Sequence, residues 1–511
     1  MTPPEQSANA PRALLAVLTL LPAAVFLLTV VSPPLNHDVA AVLDFSMRWR
    51  NGEALYRDLI DMNPPLVFML TRGVIALADM LRLPPIPVLI GCVLALCLMS
   101  AVAALPLRRG LAEGAMERRA LDFGLPLILL TAGYDFAQRE HLMLAAALPY
   151  LVLAARRAEG VSASRATSLA AALLAAVGFA LKPHFLILPA LVELYVLCRR
   201  GLAAFRDPVP WVMAAVWLGY LGLIFGSFPD YPGFTLPLAL EYYHSHLGFR
   251  ALLLNEWLTP AALLFVPCAV LALRRPGGLA PVLALAGLGA LLAALIQGRA
   301  WSYHAMPVRL LGGLLAVQLA ARWLDAALPA GRAARAAPGF AAIGAGLLGL
   351  LGMLNPEAPW REANYRQSWP HALERMLERA ARHGRVLVLS PDIHPVFPAI
   401  NYAGALSTLT TLNTWLIEGA NQECLPGGAR YREPEAMGPG ERLMWDRTIR
   451  DFTESPPEAL LVAQHTAIPY CGADWDHLAY FSRDAAFAAT LQRYRLISDF
   501  ASYRIFERGD P

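Results

Sequence analysis

The chain has 511 residues, of which 57% are hydrophobic and only 16% charged, with a mean hydropathy of +0.46 and a formal net charge of +3. Globular domains carry about 25% charged residues, with apolar residues in periodic faces. Here the apolar residues come in unbroken runs, which excludes an ordinary soluble enzyme. The basic residues are scattered over many short loops, so no nucleic-acid surface is expected.

A helix crossing the ~30 Å hydrocarbon core needs about 20 apolar residues. The stretches 13–32, 86–107, 210–226, 279–298 and 338–354 meet this most clearly. The first is too long for a signal-peptide core, and no small-residue cleavage site follows it, so an uncleaved first span is expected. After it comes a polar segment, 33–64, and then 65–82, which contains Arg72 and Asp79. Charges are costly at the bilayer centre, and a full crossing there would invert every loop downstream. The segment therefore reads as a juxtamembrane or half-inserted helix.

Orientation follows from the arginines. Arg108–Arg109 through Arg118–Arg119, Arg156–Arg157 with Arg165, Arg199–Arg200 with Arg206, Arg274–Arg275, and Arg322 to Arg335 form basic loops assigned to the cytoplasm. The alternating loops, 33–64, about 135–141, 183–184, 227–258 and 299–304, carry carboxylates, histidines and aromatics and are assigned outside. The expected fold is an α-helical polytopic membrane protein of about eleven full spans plus juxtamembrane helices, its N-terminus cytoplasmic.

Residues 355–511 differ in character and read as a small soluble α/β domain outside the membrane. An amphipathic helix is expected over 371–383, with buried strands at 385–390 and 460–463. The domain plan is thus 1–354 in the membrane, with 33–82 as first outer loop and juxtamembrane helices, and 355–511 beyond it. Cys92, Cys97, Cys198 and Cys268 fall in apolar runs, where packing is the ordinary role. Cys424 and Cys471 lie in the tail and can pair only if it faces an oxidising compartment. Pro391-Asp392-Ile393-His394-Pro395 reads as a strand-exit turn, and Asp474-Trp475-Asp476-His477 as a surface loop or helix cap.

Candidate chemistry gathers on the outer side. The first outer loop holds Asn36-His37-Asp38, Asp44, Tyr56-Arg57-Asp58 and Asp61-Met62-Asn63-Pro64-Pro65. Its acids either pair with Arg48, Arg50 and Arg57 or include a catalytic carboxylate at the membrane surface. Next come Asp135 and Arg139-Glu140-His141, squeezed between apolar runs, where charges must be paired or line a wet cavity. Lys182, before Pro183-His184, is the sole lysine of the chain. The abundance of Ala, Gly, Pro and Arg fits a GC-rich bacterial genome that drifts Lys to Arg, so a lysine that persists invites a specific role. It either snorkels to the interface or offers a point charge to a phosphate. Glu241 to His246 and Arg299 to Tyr303-His304 complete the outer loops, with aromatics typical of an interfacial belt.

In this order the motifs resemble the multispan glycosyltransferases of the GT-C class, in particular the group of protein O-mannosyltransferases and lipid A aminoarabinose transferases. In that class an acid follows the first span, then a Gly-x-x-Tyr-like stretch and an Asp-x-x-Pro-Pro-Leu-like stretch. Here stand His37-Asp38, Gly52-Glu53-Ala54-Leu55-Tyr56, and Asp61-Met62-Asn63-Pro64-Pro65-Leu66. Glu140 matches the acid of the second outer loop, and Lys182 a cation at the outer end of a later span. Val39 stands where an acidic pair would have its second member, and the second acid is Glu rather than Asp.

The resemblance implies transfer of a sugar from a polyprenyl-phosphate donor, at the outer face of a bacterial inner membrane, to an acceptor that is a glycan, lipid or protein. Asp38 and Glu140 are the implied catalytic residues, and His37, Tyr56, Asp61, Arg139, His141, Lys182, His184, Tyr303 and His304 the implied substrate-binding residues. No cofactor is certain; a divalent cation (Mg, Mn or Zn) at Asp38 or Glu140 stays open. Competing readings are a lipid-linked-sugar flippase or export protein, which would carry polar groups deep within its spans, and a polysaccharide polymerase or ligase, which would carry a large late outer loop rich in Arg and His.

Overall fold

The computed structural model describes residues 6–243, 247–274, 277–299, 301–354, 360–500 and 502–509. His244, His246 and Arg275 of the expected loops lie outside the described residues. The chain divides into two compact units, one of Met1–Pro33, Ala78–Gly222 and His246–Glu362, the other of Pro34–Leu77, Leu223–Ser245 and Ala363–Pro511.

Among the described residues, six helices are long and apolar enough to cross a membrane: Arg12–Val31, Pro85–Leu107, Pro208–Ser227, Ala280–Gln297, Ser302–Ala327 and Ala330–Met353. Arg165–Phe179 and Leu258–Leu273 are shorter apolar helices. Each of the five clearest apolar stretches in the sequence falls on one of the six. The remaining one, Ser302–Ala327, has its run broken by Arg309, Gln318, Arg322 and Asp325. Leu98, Met99, Val102, Leu218 and Phe225 are each more than half exposed, a surface that suits hydrocarbon rather than water. The Leu66–Leu81 helix, inside the segment expected to be juxtamembrane, has 16 residues, about 24 Å at 1.5 Å per residue.

Within the first unit, helices close on one another where side chains are small. A Cβ on Gly289 would stand 2.5 Å from the Cα of Leu188, and one on Gly178 would stand 2.7 Å from the Cβ of Ala146. Glycine at these two positions lets Ala280–Gln297 lie against Ile187–Arg200, and Arg165–Phe179 against Arg139–Ala158. Two of the expected basic-loop arginines are buried and paired. Arg108 reaches Glu113 at 2.6 Å and Asp122 at 2.8 Å, and Arg157 reaches Glu193 at 2.6 Å and Asp207 at 2.7 Å. A guanidinium at such a depth is tolerable because two carboxylates accept its forked donors.

The second unit is built on a five-stranded sheet: β1 (Arg385–Leu389), β2 (Leu406–Ser407), β3 (Ala459–Ala463), β4 (Tyr494–Phe500) and β5 (Tyr503–Arg508), in the order β2-β1-β3-β5-β4. β2, β1 and β3 are parallel, with Val386 opposite Ala459 and Leu389 opposite Val462. β5 runs antiparallel to both β3 and β4. The expected strands are β1 and β3, apolar runs buried on both faces as parallel strands require. β4 and β5 alternate weakly and half-face water, so their sequence signal is faint. The expected helix of 371–383 is Trp369–Ala380. Asp476 caps His477–Phe481 through the Ala479 N–H. Cys424 and Cys471 are joined by a disulfide, their Cα atoms 5.5 Å apart.

Residues 34–77 are part of this same unit. The helix His37–Arg50 has Asp38 in its first turn and Arg48 and Arg50 in its last, the arrangement its dipole favours. Arg48 is 2% exposed; it grips both oxygens of Glu53 and donates to the Leu409 carbonyl at 2.6 Å.

Candidate active site

Several of the ionisable residues singled out in the first unit gather around Glu140 and Lys182. Glu140 opens the helix Arg139–Ala158 after a tight passage through Gly133 and Ala137, both at positive φ. Lys182 precedes Pro183, which drives it into extended backbone (φ −147°, ψ 139°). Its Nζ donates to Glu140 Oε1 at 2.6 Å and to Gln297 Oε1 at 3.1 Å. Lys182 is 7% exposed and Glu140 2%. The ammonium also lies over the Tyr303 ring at 5.2 Å and the Phe185 ring at 5.8 Å. His304 Nε2 stands 3.9 Å from Glu140 Oε1. Of these groups, Glu140 Oε2, His304 Nδ1 and His184 Nε2 have no hydrogen-bond partner among the described residues. The charges of Arg139 and Lys182 act on both His184 and His304. Five of the residues singled out in the sequence (Arg139, Glu140, Lys182, His184 and His304) thus share one electrostatic neighbourhood, roofed by Tyr303.

His141 sits apart from that chemistry. It is fully buried, its Nε2–H donates to the Leu129 carbonyl at 2.7 Å, and its Nδ1 accepts from the Ala137 N–H at 3.2 Å. Both ring nitrogens are engaged by backbone, which fixes the neutral tautomer. Two nearby polar residues, Gln297 and Arg309, escaped the sequence reading, whereas Asp135 was singled out in it. Gln297 is a lone amide ending an apolar helix. Asp135, fully buried, accepts from the Ser302 hydroxyl at 2.8 Å. Arg309 feels the charge of Asp135. The signal for each was available: a single polar residue in or beside an apolar run.

In the second unit, Asn36 caps the helix by accepting the Asp38 N–H at 3.0 Å. His37 Nε2 stands 3.7 Å from Asp38 Oδ1. Tyr56, at φ +70° and fully buried, donates its hydroxyl to the Asn63 carbonyl at 2.5 Å and packs on Tyr231 with ring centroids 4.7 Å apart. Asp61 Oδ1 accepts from the Asn63 N–H at 2.7 Å and from its amide Nδ2 at 2.6 Å. Tyr56 and Asp61 therefore hold the 56–63 loop in shape. Asp44 is fully buried: Oδ1 accepts the Ser407 N–H at 3.1 Å, Oδ2 has no hydrogen-bond partner among the described residues, and burial pushes its pKa up to about 7.

Among the described residues no three His, Cys, Asp or Glu side chains are grouped to hold a metal ion. Glu140 already has an ammonium against one oxygen.

This architecture has solved counterparts. The fold is that of ArnT. The crystal structure of ArnT from Cupriavidus metallidurans in the apo state superposes with a TM-score of 0.56 at 12% identity, covering 97% of this chain and 98% of that one. The crystal structure of the same ArnT bound to undecaprenyl phosphate gives a TM-score of 0.51 at 11% identity, covering 97% and 98%. ArnT is a lipid A aminoarabinose transferase of the GT-C class, the group whose motifs the sequence resembles. No protein-family model and no curated protein matches the chain.

Proposed function

We propose that the chain is a membrane glycosyltransferase that moves a sugar from a polyprenyl-phosphate donor to an acceptor on the outer side of the bacterial inner membrane. The observation that carries this reading is the buried Glu140–Lys182 ion pair, 2.6 Å long, beside His304 and Gln297, in a chain with the ArnT fold. Glu140 offsets the cost of burying this ammonium, and a compact ammonium of this kind is a point charge suited to a phosphate. The undecaprenyl phosphate bound by ArnT supports a lipid-phosphate partner.

In the proposed reaction the acceptor hydroxyl gives its proton to Asp38 as its oxygen attacks the anomeric carbon. The bond from that carbon to the phosphate oxygen breaks, and its electron pair leaves on polyprenyl phosphate. Lys182 and Arg139 stabilise the charge that grows on the leaving phosphate, and Glu140 keeps the Lys182 ammonium aimed. His37, His184, Tyr303 and His304 are the proposed substrate-binding residues. The Cys424–Cys471 disulfide supports a tail that faces an oxidising compartment, with the N-terminus cytoplasmic.

The test is sugar transfer by membranes containing the wild type, Asp38→Asn or Glu140→Gln, with a panel of radiolabelled polyprenyl-phosphate sugars. Release of polyprenyl phosphate by the wild type, lost in both variants at equal expression, is the expected result. No turnover with any donor, while the lipid-linked sugar still crosses the bilayer, would turn the reading to a flippase.

A further inference from the structure

The turn Pro391-Asp392-Ile393-His394-Pro395 looks unremarkable in the sequence, yet it belongs to the segment that holds the helix bearing Asp38. That segment runs from β1 through the helix Val396–Tyr402 to just past β2. It grips the His37–Arg50 helix once per turn. Asn401 Nδ2 donates to the Ala40 carbonyl at 2.9 Å, the Ser407 N–H to Asp44 Oδ1 at 3.1 Å, and Arg48 Nη1 to the Leu409 carbonyl at 2.6 Å. Just before the helix, the Leu35 N–H donates to the Tyr402 hydroxyl at 2.9 Å.

Positions 40, 44 and 48 share one helix face, since they recur at i+4. His37, three residues before Ala40, continues that face to the N-terminal turn. There it meets His394: the two rings pack edge to face with centroids 5.7 Å apart. His37 Nε2 is in turn 3.7 Å from Asp38 Oδ1. His394 is itself exposed to solvent, and it meets His37 through the edge-to-face contact of the two rings.

We infer that this stretch of the tail is the mount of the Asp38 helix, and that His394 is a positioning residue that holds His37 beside the Asp38 carboxylate. The inference rests on the reading of Asp38 as general base. A carboxylate in the first turn of a helix can turn about its side-chain bonds, and a base misplaced by an ångström loses much of its effect. A ring held in place from outside the helix limits that freedom, and it acts on turnover without touching the donor.

The experiment is transfer kinetics in the full-length protein for His394→Ala, His37→Ala, the double variant, His394→Phe and Asp38→Asn, each confirmed folded by its unfolding midpoint. His394→Ala is expected to lower kcat about tenfold with the donor KM within about twofold. The double variant is expected to fall no further than either single one, the non-additivity of residues that act through each other. His394→Phe, which keeps a ring edge against His37, is expected to restore most of the turnover.

Full activity of His394→Ala, additive losses in the double variant, or a His394→Phe variant as impaired as His394→Ala would each overturn the inference. If Asp38→Asn is inactive while His394→Ala is fully active, this inference alone fails. If Asp38→Asn is active, the base reading fails and this one with it. Should His394→Ala not fold, His37→Ala and His394→Phe decide: an unimpaired His37→Ala overturns the positioning role.

Discussion

The two units hold the carboxylates singled out above in different ways. In the first, Glu140, Lys182, Arg108 and Arg157 are buried in ion pairs, each guanidinium or ammonium meeting a carboxylate within 3 Å. In the second, Arg48 makes a similar pair with Glu53, but the buried Asp44 and Asp61 are spent on the backbone N–H groups of Ser407 and Asn63. The reason is the surrounding medium. Hydrocarbon offers a lone ion nothing, so charges among spans persist as pairs. A water-bathed unit can use a carboxylate as a local clamp, and a buried one can take up a proton instead.

That contrast can be broken most directly at Lys182. Lys182→Met leaves Glu140 buried without its ammonium, and the expected loss is ~3–5 kcal/mol of stability, the usual consequence of removing one partner of a buried pair. Adding Glu140→Gln should return much of that stability while transfer stays abolished. Unfolding in detergent micelles and the transfer assay measure the two halves of this prediction.

The matching test in the second unit is Asp44→Asn. Asp44 has its folded pKa raised from 3.8 to about 7, so the folded chain holds a proton that the unfolded chain has released. Its contribution to stability is fully present below about pH 4 and is lost as pH rises through about 7. The wild type should therefore lose stability between pH 4 and 7 through this group, by about 4 kcal/mol at most. In Asp44→Asn that part of the slope should vanish. Unfolding midpoints measured across the range would show it, and an unchanged slope would mean that Asp44 is ionised when folded.

A smaller effect is expected from the disulfide. Cys424→Ser with Cys471→Ser opens a link between residues 47 apart in sequence and should cost ~2–4 kcal/mol, with reductant producing the same drop in the wild type only. The smallest is Gly289→Ala. Its methyl would meet the Leu188 backbone, and the expected cost is ~1–3 kcal/mol. Because the same helix ends in Gln297, a partner of Lys182, transfer should weaken along with stability. A Gly289→Ala variant of full stability and activity would show that these helices have room to separate.

Much of the fold is legible in the sequence, because the signals are local. An apolar run of span length predicts a helix wherever it occurs, as at Pro85–Leu107 and Ala280–Gln297. A short buried run such as Arg385–Leu389 predicts a strand. Arg139, Glu140, Lys182, His184 and His304 stand out for a related reason: each is a polar residue where hydrocarbon patterning leaves little place for one. Their roles in transfer rest on the experiments above. Gln297 shows the same signal more faintly, and β4 and β5 show almost none because half-exposed strands carry no apolar run.

What tertiary structure alone decides is partnership. Nothing near Lys182 in sequence announces Glu140, 42 residues away, or Gln297, 115 residues away. Nothing near His37 announces His394. The chain by itself determined which residues are costly to bury, since that depends on side-chain chemistry and immediate neighbours. Which of those costs are offset, and by whom, depends on distances set when remote segments pack, and only the folded molecule holds those distances.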